Sequence, residues 1–310
     1  MRFSPADMRA LVIFRALVDN AGFAGAQLVL GVNQSTISFH LKALEDRLGF
    51  ALCKRGRRGF ELTERGQEVY NLSKPLAASI LDFEARLGAL RNRLAGSLRV
   101  GIVDNTVTDE TCSLSRVLRS CLAQSDDIDV KLVVSPPEAL FAELSSGGIA
   151  IAITPLAAGV HGFDQDALYV ERHSLYCGRD HALFAGKPER DEVEASHFVV
   201  RPYSGNHELA YFPKARVRMH ASNMEAQAIL ILTGEVVGYL PDHYAAQWTR
   251  NGMLKALLAP EACITSNFVV ATKAGREPTP LERFFIKQVR LQVKRAEAEV
   301  ADWRKKRNAR

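Results

Sequence analysis

The chain reads as an α+β multidomain protein in three parts. A winged helix-turn-helix is predicted over residues 1–66, a long linker helix over 67–95 and a two-lobed α/β domain over 96–310. One lobe is expected at about 97–160 and 268–299, the other at about 161–267. Three observations predict this. Short helical patterns crowd the first fifty residues and run into a basic segment punctuated by glycines. A single apolar repeat with steps of three and four runs from Val69 to Leu94. Beyond Ala95-Gly96-Ser97, strand-like and helix-like runs alternate.

From Ser4 to Asn20, Met8, Leu11, Val12, Phe14, Leu17 and Val18 recur at helical spacing. Asn20-Ala-Gly22 breaks that helix. Phe23 to Leu30 forms a second, stopped by Gly31, which can take the positive φ of a helix end. Asn33 is a good N-cap for a third. In the third helix Ile37, Leu41, Leu44 and Leu48 form a core-facing stripe, which leaves Gln34, Ser35, Thr36, Ser38, Phe39, His40 and Lys42 on the other faces. Ser, Thr, Gln and His can hydrogen-bond to base edges, and Lys42 can reach phosphate. These residues, with Asn33, are candidates for entering the DNA major groove.

Lys54-Arg-Gly-Arg-Arg-Gly-Phe-Glu-Leu-Thr63 sets Lys54, Arg55, Arg57 and Arg58 around two glycines, ahead of an extended segment. A charge run is usually only a solvated face. Directly behind a helix-turn-helix it suits a two-stranded wing whose basic tip lies along the phosphate backbone. The charge distribution agrees. Residues 1–95 carry 14 Lys and Arg against 9 Asp and Glu, whereas residues 96–310 carry 26 of each. The basic excess sits where phosphate would be met.

The order helix, helix-turn-helix, "ALEDRLGFALCKRGRRGFELTERG" and long helix resembles the LysR-type family of bacterial transcriptional regulators over essentially all of residues 8–66. Phe23, Ala26, Gln34, Ile37, Ser38, Leu41, Leu44, Gly49, Leu62, Thr63 and Gly66 are among the positions that match its shared pattern. The chain departs from it at Ser35, where members usually carry Pro, at Phe39-His40, where Arg or Lys and Gln are common, and at Cys53, which replaces a Phe. The resemblance implies regulation of transcription by sequence-specific binding of double-stranded DNA at promoter palindromes, modulated by a small-molecule effector. RNA polymerase is a further partner that such a role would bring.

Thr63 can cap the long helix, predicted to run to about Arg93. Along it Val69, Leu72, Leu76, Ile80, Phe83, Leu87, Leu90 and Leu94 form a seam suited to a second copy. Packing against the same chain is the alternative, but a helix between two globular units has little else to bury it. Pro75 should kink it. LysR-type proteins resemble this arrangement, and a homodimer or homotetramer is expected.

In the last two-thirds, Leu98–Val103, Ile128–Val134 and Ile149–Ile153 read as strands around helices at Glu110–Gln124 and Pro137–Ser145, a mainly parallel α/β pattern. Further strands are expected at Ser174–Cys177, His197–Val200 and Val236–Leu240. Phe268–Ala271 and a helix at Leu281–Glu299 return to the first lobe. Two lobes with crossing segments resemble the periplasmic-binding-protein-like effector-binding domain of the family. Ligands of open α/β sheets settle at the carboxyl ends of strands, where helix N-termini offer amides. That criterion selects Asp104, Asn105 and Thr106, then Thr154 and Pro155, then Arg201, Tyr203 and Ser204, then Ser222, Asn223 and Gly238. Simple helix capping is the plainer role for Asn105, Thr106 and Ser222. Relatives commonly place Ser or Thr in the first of these loops, against an anionic effector. Asp104 would repel an acid there unless a base such as Arg201 offset it.

Other classes find little support. No Gly-rich phosphate loop, paired metal-ligand motif or Gly-x-Ser-x-Gly elbow appears, so neither an enzyme nor a bound cofactor or metal is expected. A solute-binding protein would need a secretory signal, and the N-terminus lacks one. No apolar run approaches a membrane span of about 18–20 residues, and a cytoplasmic location away from the membrane is expected. Cys53, Cys112, Cys121, Cys177 and Cys263 form no Cys-x-x-Cys pair. A regulator using one of them as a redox sensor is the alternative to an effector-binding one.

Overall fold

A computed structural model describes residues 3–56, 59–90, 94–201 and 205–308. The chain divides into two compact units, Met1–Phe83 with Ser146–Gly148, and Glu84–Ser145 with Ile149–Arg310.

The first unit begins with α1 (Pro5–Asp19), α2 (Phe23–Leu30) and α3 (Gln34–Leu48). Ser4 caps α1 in a box with Asp7, and Asn33 caps α3, its Oδ1 accepting from Thr36 N at 2.9 Å. Gly31 ends α2 at φ +64°, the left-handed turn that separates the two helices of the motif. The core is built from Leu11, Phe14, Leu17, Ala26, Ile37, Leu41, Leu44 and Leu52. On α1 the buried face includes Ala10 and Ile13, while Val12 is 54% exposed. The expected stripe is therefore rotated by one residue there, with Ile13 taking the place of Val12. The wing is an antiparallel pair, β1 (Cys53–Gly56) and β2 (Gly59–Leu62), with Lys54 opposite Glu61. Then α4 (Glu64–Leu90) runs 27 residues and continues through Pro75. Thr63 Oγ1 accepts from Gly66 N at its start.

The second unit holds a nine-stranded sheet among the described residues. In chain order its elements are β3 (Gly96–Ile102), a 3-10 turn (Thr106–Thr108), α5 (Leu114–Leu122), β4 (Ile128–Val134), α6 (Pro137–Ser146), β5 (Ile151–Pro155) and β6 (Phe163–Gly178). Next come α7 (Arg190–Glu194), β7 (His197–Val200), α8 (Gly205–Glu208), β8 (Arg216–His220) and α9 (Met224–Leu232). The chain closes with β9 (Val237–Pro241), α10 (Asp242–Arg250), β10 (Leu254–Leu257), β11 (Ile264–Lys273) and α11 (Pro280–Asn308).

The strand order is β4-β3-β5-β11-β6-β9-β7-β8, with β10 also paired to β6. Strands β3, β4 and β5 are parallel neighbours, as are β7, β8 and β9. The expected parallel arrangement holds within each group and fails between them. There β6 and β11 run antiparallel to each other and to β9 and β5 respectively. The reason is topological: the chain leaves one lobe on β6 and returns to it on β11, so the two crossings point in opposite directions. One core lies around β3, β5, α5, α6 and α11, with Leu98, Val117, Leu140, Ile151 and Phe285 in it. The second lobe is packed on both faces of its sheet, by Met224, Ala228 and Ile231 on one side and Val193, Phe198 and Phe212 on the other.

Candidate nucleic-acid interface and effector pocket

The faces of α3 divide sharply. Ile37, Leu41 and Leu44 are buried, while Gln34, Ser35, Phe39 and Lys42 are exposed and Thr36, Ser38 and His40 half-buried. Asn33 does more than a simple cap. Its Oδ1 also accepts the Ser35 and Thr36 hydroxyls, each at 2.7 Å. Those two hydroxyls and the Asn33 side-chain carbonyl oxygen are bonded to one another at the helix start. Phe39 is 70% exposed and meets the His40 ring edge-on at 5.5 Å, an apolar and polar pair on the outer face. Lys54 is exposed on the wing. Arg57 and Arg58 lie outside the described residues, and so does the side chain of Arg55.

Sequence reasoning missed the residue that joins reader to wing. Glu45, on α3, accepts from the backbone amides of Leu52 at 2.7 Å and Cys53 at 3.2 Å. This fixes where the wing leaves the helix. A Glu one turn before the helix end, followed by a loop with free amides, is the only signal, and many surface glutamates share it. Gly66 is similarly silent in sequence. A Cβ there would lie 2.0 Å from the Leu52 carbonyl oxygen, so only glycine lets α4 pass this close to the wing root.

In the second unit, a cavity of about 370 Å³ opens at the carboxyl ends of β3, β5 and β7. Asp104, Asn105, Pro155 and Arg201 line it, four of the eleven residues expected. Thr106 is buried and its hydroxyl donates to the Val103 carbonyl at 2.8 Å. Thr154 is fully buried within β5. Asn223 caps α9, accepting from Ala226 N at 2.8 Å, and Ser222 beside it is not on the wall. Gly238 packs inside the second lobe, where a Cβ would lie 2.6 Å from Val199. These five are not on the wall of this cavity. Tyr203 and Ser204 lie outside the described residues. Glu138, Glu171, His173 and His207 line the cavity and escaped notice in the sequence, because β6 carries two of them across from one lobe to the other.

The cavity wall carries the carboxylates of Asp104, Glu138 and Glu171 together with Arg201, His173 and His207. Asp104 Oδ2 accepts from the Met224 amide at 2.5 Å, so a carboxylate of the chain already occupies the N-terminus of α9. Arg201 also lines the cavity. Its Nη2 donates to Glu208 Oε1 at 2.7 Å, both residues being buried. Glu171 is 6% exposed, and burial acts to raise its carboxyl. The imidazoles of His173 and His243 outweigh that and hold it down at about 2. Its ionised form therefore stabilises the fold fully above its ordinary value of 4.5, and this contribution is lost as pH falls through about 2. Thermal melts of Glu171→Gln are expected to depend less on pH than the wild type between about pH 5 and pH 2. Parallel curves would refute this account.

A DNA-reading module joined to a domain with a cleft between two lobes is the construction of a ligand-responsive transcriptional regulator. Comparison with known proteins gives the family. Residues 8–67 match the bacterial regulatory helix-turn-helix protein model of the lysR family, and residues 91–294 match the LysR substrate binding domain. The chain belongs to the LysR family: it is a DNA-binding transcriptional regulator modulated by an effector, and the family is regulatory rather than enzymatic. The HTH-type transcriptional activator BauR of Pseudomonas aeruginosa is 36% identical over 283 residues, covering 90% of this chain and 93% of the relative. Among solved structures, CbnR, a LysR family transcriptional regulator, superposes with a TM-score of 0.67 at 19% identity, over 92% of this chain and 98% of that one. Full-length CbnR complexed with its target DNA gives 0.65, also at 19% identity, over 92% and 99%. Among the described residues, no helix is long and apolar enough to cross a membrane.

Proposed function

We propose that residues 1–66 read a palindromic promoter site, residues 67–95 pair two copies, and residues 96–310 sense the effector. The reading rests above all on the outer face of α3, polar from Gln34 to Lys42, beside the basic wing of Lys54, Arg55, Arg57 and Arg58. Gln34, Ser38, Phe39 and His40 meet base edges, and the wing meets phosphate. The regulator acts in the cytoplasm as an activator, the role in BauR's name, and touches RNA polymerase at the promoter. Pairing uses the apolar side of α4. Val69 at its start packs into the first core and Leu94 beyond its end packs into the second. Leu72, Leu76, Ile80, Phe83, Leu87 and Leu90 between them are 40–82% exposed, at steps of three and four.

The effector carries a cationic group. Asp104, Glu138 and Glu171 line the cavity, and Arg201 on its wall is paired with Glu208. An acid would meet like charge, whereas an amine or a zwitterion would find partners. A redox role for Cys112, Cys121 or Cys177 is disfavoured, since the thiolate is the reactive form and burial pushes Cys112 up to about 12 and Cys121 and Cys177 up to about 11.

Two measurements test this reading. In gel shifts on the upstream region of its own gene, Arg57→Ala with Arg58→Ala is expected to weaken binding and flatten its salt dependence. The slope of log affinity against log salt should fall by about 2, near 0.9 for each phosphate no longer neutralised. Equal affinity at physiological salt would remove the wing from the interface. In a thermal-shift screen, amines and amino acids should raise stability by mass action where dicarboxylates do not. Stabilisation by dicarboxylates alone would overturn the effector class.

A further inference from the structure

Beside the effector cavity, four ionisable side chains converge where β6 passes between the lobes. Glu171 and His173 come from β6. Asp109 comes from the loop after the 3-10 turn of the first lobe, and His243 from the start of α10 in the second. Asp109, Glu171 and His173 are 4%, 6% and 2% exposed. His243 Nε2 lies 2.9 Å from Glu171 Oε1, and His173 Nε2 lies 2.7 Å from Glu171 Oε2. One donor atom each of Asp109, Glu171 and His243 falls within 4.8 Å of the others.

The hydrogen bonding of this group does not close on itself. Asp109 Oδ1 accepts from Thr111 N at 2.8 Å, but Oδ2 is buried with no hydrogen-bond partner among the described residues. Both ring nitrogens of His173 are in the same position, since its close approach to Glu171 is off the line a hydrogen bond requires. The Thr108 hydroxyl donates to the Asn105 carbonyl at 3.1 Å and lies 2.8 Å from His243 Nδ1. Thr108 and Glu171 thus hold the two ring nitrogens of His243 from opposite sides. A cation among Asp109, Glu171 and His243 satisfies Asp109 Oδ2 and balances two buried carboxylates.

We propose that this cluster is a binding site for a first-row divalent cation, ligated by Asp109, Glu171 and His243 and held open towards the effector cavity. One imidazole and two carboxylates with no thiolate suit Zn²⁺, Co²⁺ or Mn²⁺. Thr108 on Nδ1 is the outer hydrogen bond that fixes the ring of a metal-binding histidine. Glu171 also lines the cavity, so a remaining coordination position is available to water or to a donor atom of the effector. Because Asp109 and His243 belong to different lobes, the ion ties the two together.

The test uses the untagged full chain, stripped with a chelator and desalted. Co²⁺ is expected to bind at one equivalent per chain with a visible d–d absorption band, and Zn²⁺ to displace it and raise the melting temperature. Asp109→Asn and His243→Gln should each weaken Co²⁺ binding by at least about ten-fold, with circular dichroism reporting that the variants are folded. If Asp109→Asn does not fold, His243→Gln decides, because that residue is only half-buried at a helix start. No stoichiometric Co²⁺ or Zn²⁺ binding by the wild type overturns the proposal. So does binding that is unchanged in the folded variants, which would place the ion elsewhere.

Discussion

Phe14→Ala is expected to abolish promoter binding while leaving the effector domain folded. The ring is fully buried in α1, at the centre of the core that holds α3 against α1 and α2. Removing such a side chain costs about 3–5 kcal/mol, from the transfer energy forgone and the cavity left behind. A domain of this size has only about 5–15 kcal/mol in total, and each kcal/mol moves its melting temperature by roughly 4–8 °C. The second unit keeps its own cores around Leu98, Ile151 and Phe285 and in the other lobe. Calorimetry should therefore show one transition lowered and the other retained, with gel-shift activity abolished at the assay temperature. A variant that still binds the promoter with wild-type affinity would show that Phe14 does not support the reading helix.

Leu76→Asp with Ile80→Asp should convert the proposed dimer to monomer and weaken promoter affinity by at least about a hundred-fold, since a monomer holds one half-site instead of two. Both side chains are about 40% exposed, well outside either core, so the folded chain tolerates the change. A carboxylate on a helix–helix seam has no such freedom. It would be desolvated against an apolar partner, and each copy would bring two. Analytical ultracentrifugation measures the mass and circular dichroism the retained helix. A variant that remains dimeric would move the pairing surface off α4. Glu45→Ala offers a milder contrast: it leaves two amides without their acceptor at the wing root and should weaken DNA binding without changing the mass.

Much of the reading module could be seen in the linear chain because its signals are local. Asn33 as a cap, Gly31 as a left-handed stop, and Ile37, Leu41 and Leu44 as a stripe all depend on neighbours within a few residues. Strand β4 at Ile128–Val134 was legible for the same reason. Val12 and Ile13 show the limit. Both are β-branched and apolar, and only the direction from which α2 and α3 approach decides which is buried.

The effector cavity was harder to read. Asp104, Asn105, Pro155 and Arg201 follow from the rule that ligands gather at strand ends. Glu171, His173 and Glu138 do not, since nothing local distinguishes a functional glutamate in a strand from a solvated one. The partners of Asp104 and Arg201 were equally hidden. Asp104 bonds an amide 120 residues away, and Arg201 pairs with Glu208.

By itself, the sequence determined the family, the helix-turn-helix and its wing, the apolar repeat of the linker, and the alternation that builds two lobes. Each is written in spacing, capping residues and charge, which act over a few residues. Only the tertiary structure decided the antiparallel crossing of β6 and β11, which charged side chains reach the cavity wall, and the meeting of Asp109, Glu171, His173 and His243. Those depend on which distant segments fold against one another. A buried charge is set by the neighbours that replace its water, and those neighbours are brought by the fold.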